Sequence, residues 1–188
     1  LGCYGDGGAI VTNNKRIYNK IKILKAFGID KDISQRKKPG VYDVKDLGFN
    51  FRMTDFQAAL GYFQLKRYRK NLQRRHEIAK RYIRNFRNNS KINHMPYSEN
   101  CSFFIFQIFT KKRDSLIKHL KEKKIQFSIH YANSLNNMTY YKRKYNLKKK
   151  SFTNATNYGL TSISLPNYPK LKNKEVDYIC KIINTFSK

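Results

Sequence analysis

Apolar positions recur along this chain with two periods, and the switches between them mark the elements. GGAIVT (7–12) is a short apolar, β-branched run behind glycines and predicts a buried strand. Asn13 or Asn14 can cap the helix that follows. In that helix Ile17, Ile21 and Leu24 fall at i, i+4 and i+7 on one apolar face, and Gly28 stops it. Residues 29–46, with RKKPG at 36–40, read as a loop.

The stretch LGFNFRMTDFQAALGYFQL (47–65) then turns abruptly from loop to helix. Thr54 followed by Gln57 is a capping box, in which each side chain satisfies a backbone N–H at the helix start. Asp55 places negative charge in the first turn, where the helix dipole favours it. The apolar stripe runs Phe56, Leu60, Phe63, passes a basic patch to Leu72, and resumes at Ile78, Tyr82 and Phe86. Gly61 inside this helix costs about 1 kcal/mol against Ala, which a close neighbour would justify.

After a polar break at 87–100 the pattern changes. SFFIFQIFT (102–110) is apolar on both alternating faces and predicts a central strand. RDSLIKHLKEKKI (113–125) is an amphipathic helix carrying Leu116 and Leu120, FSIHY (127–131) a short strand, and SISLPNYP (162–169) an extended segment closed by prolines. Asn173 is expected to cap a last helix burying Val176, Ile179, Ile183 and Phe186. Strand, helix, strand, strand, helix is the outline of a small α/β domain. The expected organisation is residues 1–53 as the remainder of a larger domain, 54–86 as a connecting helix and 87–188 as a small C-terminal domain. A chain that opens on Leu1 and reaches GDGGAIVT within twelve residues reads as the middle of a domain.

Composition adds one question. The 188 residues include 40 Lys+Arg against 12 Asp+Glu, a formal net charge of +28. A nucleic-acid partner is the first idea, supported by KRYRKNLQRR (66–75) and YYKRKYNLKKK (140–150), where Tyr interleaves with basic residues. Heavy use of Lys, Asn and Ile throughout favours codon bias instead, with these stretches as a solvated helix face and a surface loop. Cys3, Cys101 and Cys180 are widely spaced, outside any metal or redox motif, and read as free thiols of a reducing cytoplasm. No apolar run approaches the ~20 residues of a membrane helix.

GDGGAIVTNNKRIYNKIKILKAFGI, LGFNFRMTDFQAALGYFQLKR, RRHEIAKRY, IHY and SLPNYP, in this order and spacing, resemble the DegT/DnrJ/EryC1/StrS family from Leu1 to about Ile183. The first two segments are the specific ones. The resemblance implies the C-terminal part of a type I aminotransferase fold that binds pyridoxal 5'-phosphate (PLP). It implies transfer of an amino group from glutamate to a nucleotide-linked keto sugar by a homodimer, in surface-polysaccharide or deoxyamino-sugar synthesis. It assigns Asn50, of the GFN-x-RM motif, to the PLP phosphate of the neighbouring subunit. An amide suits that task because it donates without titrating. Arg52, His130 and Tyr131 match positions near the substrate. As bare residues, Asn50 is also a turn former, Arg52 a loop brace and His130 a structural histidine. Gly5, Gly7 and Gly8 fit a tight turn beneath the cofactor, or an ordinary turn before a strand. The family continues from HY to Pro-Leu-His, whereas this chain has Ser134, Leu135 and Asn136, which sets substrate contacts from that segment apart. The family's Schiff-base lysine would fall about two residues ahead of Leu1, so no catalytic residue is expected in this chain. A relative with His in place of that lysine would be a dehydratase.

Overall fold

The computed structural model describes residue 2, residues 4–148 and residues 152–186. The chain divides into two compact units, 1–68 and 69–188.

In the first unit, α1 (Lys15–Leu24) is capped by Asn14, whose Oδ1 accepts from the backbone N–H of Arg16 at 2.9 Å and of Ile17 at 3.2 Å. Gly28 has φ +75° and its N–H returns to the Ile23 carbonyl at 3.0 Å. Beyond stopping the helix, it also allows a second strand of chain to cross. A Cβ on Gly28 would stand 1.7 Å from the Asp46 carbonyl oxygen, and one on Gly48 would stand 1.9 Å from the Gly28 nitrogen. Residues 7–12 form no strand: they are exposed and make no ladder pairing among the described residues. The β-branched run has the composition of a strand, but a strand needs a neighbour to bond.

The long helix α2 (Asp55–Phe86) begins in the first unit and ends in the second. Its capping box forms as expected. The Gln57 N–H donates to Thr54 Oγ1 at 3.2 Å, and the Thr54 N–H donates to Gln57 Oε1 at 3.3 Å. Gly61 faces open space, so the close neighbour that its cost suggested is not supplied by the described residues.

The second unit holds a three-stranded antiparallel sheet of order β1-β2-β3: β1 (Asn93–His94), β2 (Phe106–Phe109) and β3 (Ser162–Leu165). The register pairs His94 with Ile108 and Phe106 with Leu165. β2 is central, as its apolar run implies, but it is four residues long, and Phe104 ahead of it is exposed. β1 lies inside the stretch read as a polar break. FSIHY contributes a single bridge, Ser128 to Ser164, rather than a strand. The hydroxyl- and amide-rich segments between 132 and 161 fold into α4 (Thr139–Lys144) and α5 (Thr153–Thr161), after α3 (Arg113–Glu122).

The C-terminal helix α6 (Asn173–Phe186) starts differently from the expectation. Its first turn is closed by Glu175, whose Oε2 accepts from the Lys172 N–H at 2.7 Å. Asn173 Oδ1 instead accepts from the Arg74 guanidinium at 2.8 Å. The buried core runs from Ile78 to Ile183: Ile78, Tyr82 and Phe86 of α2, Phe106 and Ile108 of β2, Leu116 and Leu120 of α3, and Val176, Ile179 and Ile183 of α6 meet in one cluster. Phe186 is half-buried at its margin.

Candidate functional site

Asn50 owes its position to backbone pairing. The Phe27 N–H donates to the Phe49 carbonyl at 3.0 Å, Phe49 to Leu24 at 2.7 Å and Phe51 to Lys25 at 2.9 Å, with Ala26 bridged to Asn50. Further along, Lys45 donates to the Gly28 carbonyl at 2.8 Å and Ile29 bridges Val44. The Gly28–Gly48 approach makes this crossing possible. Phe49 and Phe51 stack at 5.1 Å, and the Lys20–Asp46 ion pair ties the loop to α1. Four residues after Asn50 the capping box begins α2, so the GFN-x-RM stretch is held at both ends.

The loop places Asn50 and Arg52 side by side on an exposed edge. Arg52 Nε donates to Asn50 Oδ1 at 3.1 Å, and its guanidinium lies 4.9 Å from the Phe27 ring centre. Because Oδ1 takes that bond, the Asn50 Nδ2 amide is the group left to donate outward. A non-titrating N–H donor beside a permanent cation suits a phosphate or a pyrophosphate. Nearby, Gly5 has φ +114°, and the Asp6 carbonyl accepts from Gln57 Nε2 at 3.2 Å, so the glycine turn rests on the first turn of α2.

His130 and Tyr131 belong to the second unit. His130 Nδ1 is 2.9 Å from Ser164 Oγ, and the His130 carbonyl accepts from Gln107 Nε2 at 2.9 Å. Gln107 Oε1 in turn accepts from the Tyr158 hydroxyl. His130 lines an open cavity of about 740 Å³, with Phe127, Ser128, Ser164 and Tyr168 along it and Lys121 and Lys124 at its edge. Tyr131 is 72% exposed. Sequence reading missed Ser164 and Gln107. The available signal was a polar residue in the middle of each apolar strand, Gln in FFIFQIF and Ser in SISL. In the segment that departs from the family, Asn136 and Asn137 both donate to Thr156 Oγ1, at 3.3 and 2.9 Å, and so brace α5.

Part of the basic composition has structural work. Arg74 donates to Glu77, to the Leu171 carbonyl at 2.7 Å and to Asn173, while Arg75 reaches the carbonyls of Phe104 and Asn167. Lys66, Arg67, Arg69 and Lys70 are exposed. The second basic stretch forms α4 and then runs into residues 149–151, which lie outside the described residues, as does Cys3. Cys101 and Cys180 are free thiols, and burial pushes that of Cys180 up to about 12. Among the described residues no cluster of His, Cys, Asp or Glu is placed to hold a metal ion, and no helix is long and apolar enough to cross a membrane.

Several known proteins are similar to this chain along most of its length. The chain is 30% identical to the spore coat polysaccharide biosynthesis protein SpsC of Bacillus subtilis, over 98% of this chain and 50% of that protein. It is 30% identical to the GDP-perosamine synthase of Escherichia coli O157:H7, over 97% of this chain and 48% of that protein. Spr1654 from Streptococcus pneumoniae, solved in its PMP-form, superposes with a TM-score of 0.81 at 27% identity, over 96% of this chain and 47% of that one. The chain thus spans about half the length of the relatives it matches. The profile of the DegT/DnrJ/EryC1/StrS aminotransferase family matches residues 1–184, and the chain belongs to that family.

Proposed function

We propose that this chain is the second half of a PLP-dependent aminotransferase that moves an amino group from glutamate to a nucleotide-linked keto sugar. The observation that carries the reading is the Asn50–Arg52 edge, fixed by the ladder to residues 25–29 and by the start of α2. The residues fit a phosphate group: one outward amide donor, one permanent cation, and no carboxylate bonded to either among the described residues.

In this reading Asn50 Nδ2 donates to the phosphate of PLP held by the other subunit of a homodimer, and Arg52 sets positive charge beside it or beside the sugar pyrophosphate. His130 and Tyr131 line the sugar side, with Ser164 fixing the ring of His130. Bound PLP supplies the electron sink for the proton shift at the amino donor. The lysine that carries PLP and moves that proton falls outside this sequence, so the 188-residue chain alone does not catalyse the transfer. Free Cys101 and Cys180 suit a reducing, cytoplasmic setting.

The test is PLP affinity of the full-length protein. Asn50→Ala removes a hydrogen bond to a charged group and lowers affinity about tenfold or more, while Asn50→Asp sets like charge against the phosphate and lowers it further. Unchanged affinity in Asn50→Asp, with the dimer intact, overturns the assignment. The 188-residue chain alone, treated with PLP and borohydride, gives no covalent adduct. A lysine adduct that supports turnover refutes the half-enzyme reading.

A further inference from the structure

Within the second unit, the basic residues of α2 are used unequally. Arg74 is taken up by Glu77, the Leu171 carbonyl and Asn173, and Arg81 by both oxygens of Asp177. The side chains of Arg84 and Arg87 have no partner among the described residues. With Lys80 they fall at i, i+4 and i+7, so the three cations stand on one face and rise about 10 Å along the helix axis. They border an open cavity of about 470 Å³ between α2 and β1, whose other walls are Ile83, His94 and Tyr97. Sites for small molecules have volumes of about 300–1,000 Å³, apolar walls and a few placed polar groups.

The polar groups of this cavity are of two kinds. The first is cationic. Among the described residues one carboxylate is bonded to the lining: Glu99 accepts from the Tyr97 hydroxyl at 2.7 Å and from Lys80 at 3.5 Å. Two guanidinium forks remain for an anion, and the paired oxygens of a phosphate match a fork. The second kind is an acceptor. His94 Nδ1 lies 2.9 Å from the Met95 carbonyl, which can only accept, so Nδ1 carries the proton and Nε2 of the neutral ring accepts. A phosphate oxygen cannot satisfy that nitrogen, whereas a hydroxyl can. Tyr97 is already committed, with its hydroxyl between Glu99 and His76 Nδ1 and its ring stacked on Phe103 at 5.4 Å, so it serves as a fixed wall.

We propose that this cavity binds a phosphate monoester that carries hydroxyl groups, a sugar phosphate. Arg84 and Arg87 hold the phosphate, a hydroxyl donates to His94 Nε2, and the C–H groups of the sugar lie against Ile83 and Tyr97. None of Asn50, Arg52, His130 and Tyr131 lines the cavity, so the inference is independent of the proposed transfer.

The experiment titrates the isotope-labelled 188-residue chain with glucose 6-phosphate, ribose 5-phosphate, phenyl phosphate and inorganic phosphate, followed by NMR. At least one sugar phosphate is expected to saturate, to shift the Arg84 and Arg87 Nε–H signals and the His94 ring signals, and to bind about tenfold more tightly than phenyl or inorganic phosphate. Arg84→Gln/Arg87→Gln lowers that affinity about tenfold or more, since charge-assisted hydrogen bonds are lost. Arg84→Lys/Arg87→Lys keeps the charge without the forks and recovers only part of it; it gives the same reading where the Gln variant does not fold. His94→Phe removes the acceptor and brings the sugar phosphate to the affinity of phenyl phosphate, while inorganic phosphate binds as before. Exchange protection of core amides reports that each variant is folded. The proposal is overturned if neither sugar phosphate saturates, if phenyl or inorganic phosphate binds as tightly as both, or if a folded Arg84→Gln/Arg87→Gln chain keeps the affinity. Shifts spread without saturation over the basic residues of the whole chain also overturn it, since they mark the +28 charge alone.

Discussion

Arg81 and Asp177 show what one residue pair adds to a helix packing. Arg81 Nε and Nη2 donate to the two Asp177 oxygens, each at 2.6 Å, joining α2 to α6, and Asn85 Nδ2 adds a third bond at 3.4 Å. The Arg81 hydrogen bonds, opposed by partial desolvation, hold the Asp177 carboxyl below the usual carboxylate range. An acid whose folded value is depressed stabilises the fold fully above its unfolded value, about 3.9, and loses that contribution as pH falls through the folded value. Acid unfolding of the chain, followed by circular dichroism, should therefore shift to higher pH in Asp177→Asn, with little change in its slope above about pH 5. An unchanged acid midpoint would mean that solvent already screens the pair. The Asn50–Arg52 pair belongs to the same scale but differs in consequence, since it leaves an outward donor rather than closing a contact.

Among the elements, α2 carries the most. Its sequence sets its start through Thr54 and Gln57, and its stripe sets which face is apolar. Burial, however, begins only at Ile78, because the sheet, α3 and α6 cover that end. Tyr82 anchors it: the ring stacks 4.9 Å from Phe106, and the hydroxyl donates to the Pro166 carbonyl at 3.0 Å. Tyr82→Phe should cost about 1 kcal/mol, the net worth of one hydrogen bond. Tyr82→Ala should cost about 3–5 kcal/mol, the range for emptying an aromatic site in a core. Urea unfolding of both variants separates the two contributions, and a Tyr82→Phe cost equal to that of Tyr82→Ala would place the stabilisation in the hydroxyl.

At the scale of the whole molecule, charge and apolar surface are both out of balance. A net charge of +28 on 188 residues repels itself in the compact state. Raising salt from about 10 mM to about 300 mM shortens the Debye length from about 30 Å to below 8 Å. The thermal midpoint should rise by a few degrees, roughly what 1 kcal/mol moves in a domain of this size. A midpoint that falls with salt would show that ion pairs such as Arg81–Asp177 outweigh the repulsion. The sequence by itself determined the helix start at Thr54 and narrowed the first one to Asn13 or Asn14, and it determined the apolar faces of α1, α2, α3 and α6, the central place of β2 and the family, because caps, periodicity and motif spacing are local properties; the structure chose Asn14. Only the tertiary structure decided which apolar faces are covered. It left 7–12 and FSIHY short of being strands, because pairing requires a neighbour that no local pattern announces. It drew Asn173 away from capping, because Arg74 stands opposite, and it joined Gln107 and Ser164 to His130 across 23 and 34 residues. It set Gly28 against Gly48, since contact between backbones twenty residues apart depends on how the chain returns and not on either glycine alone.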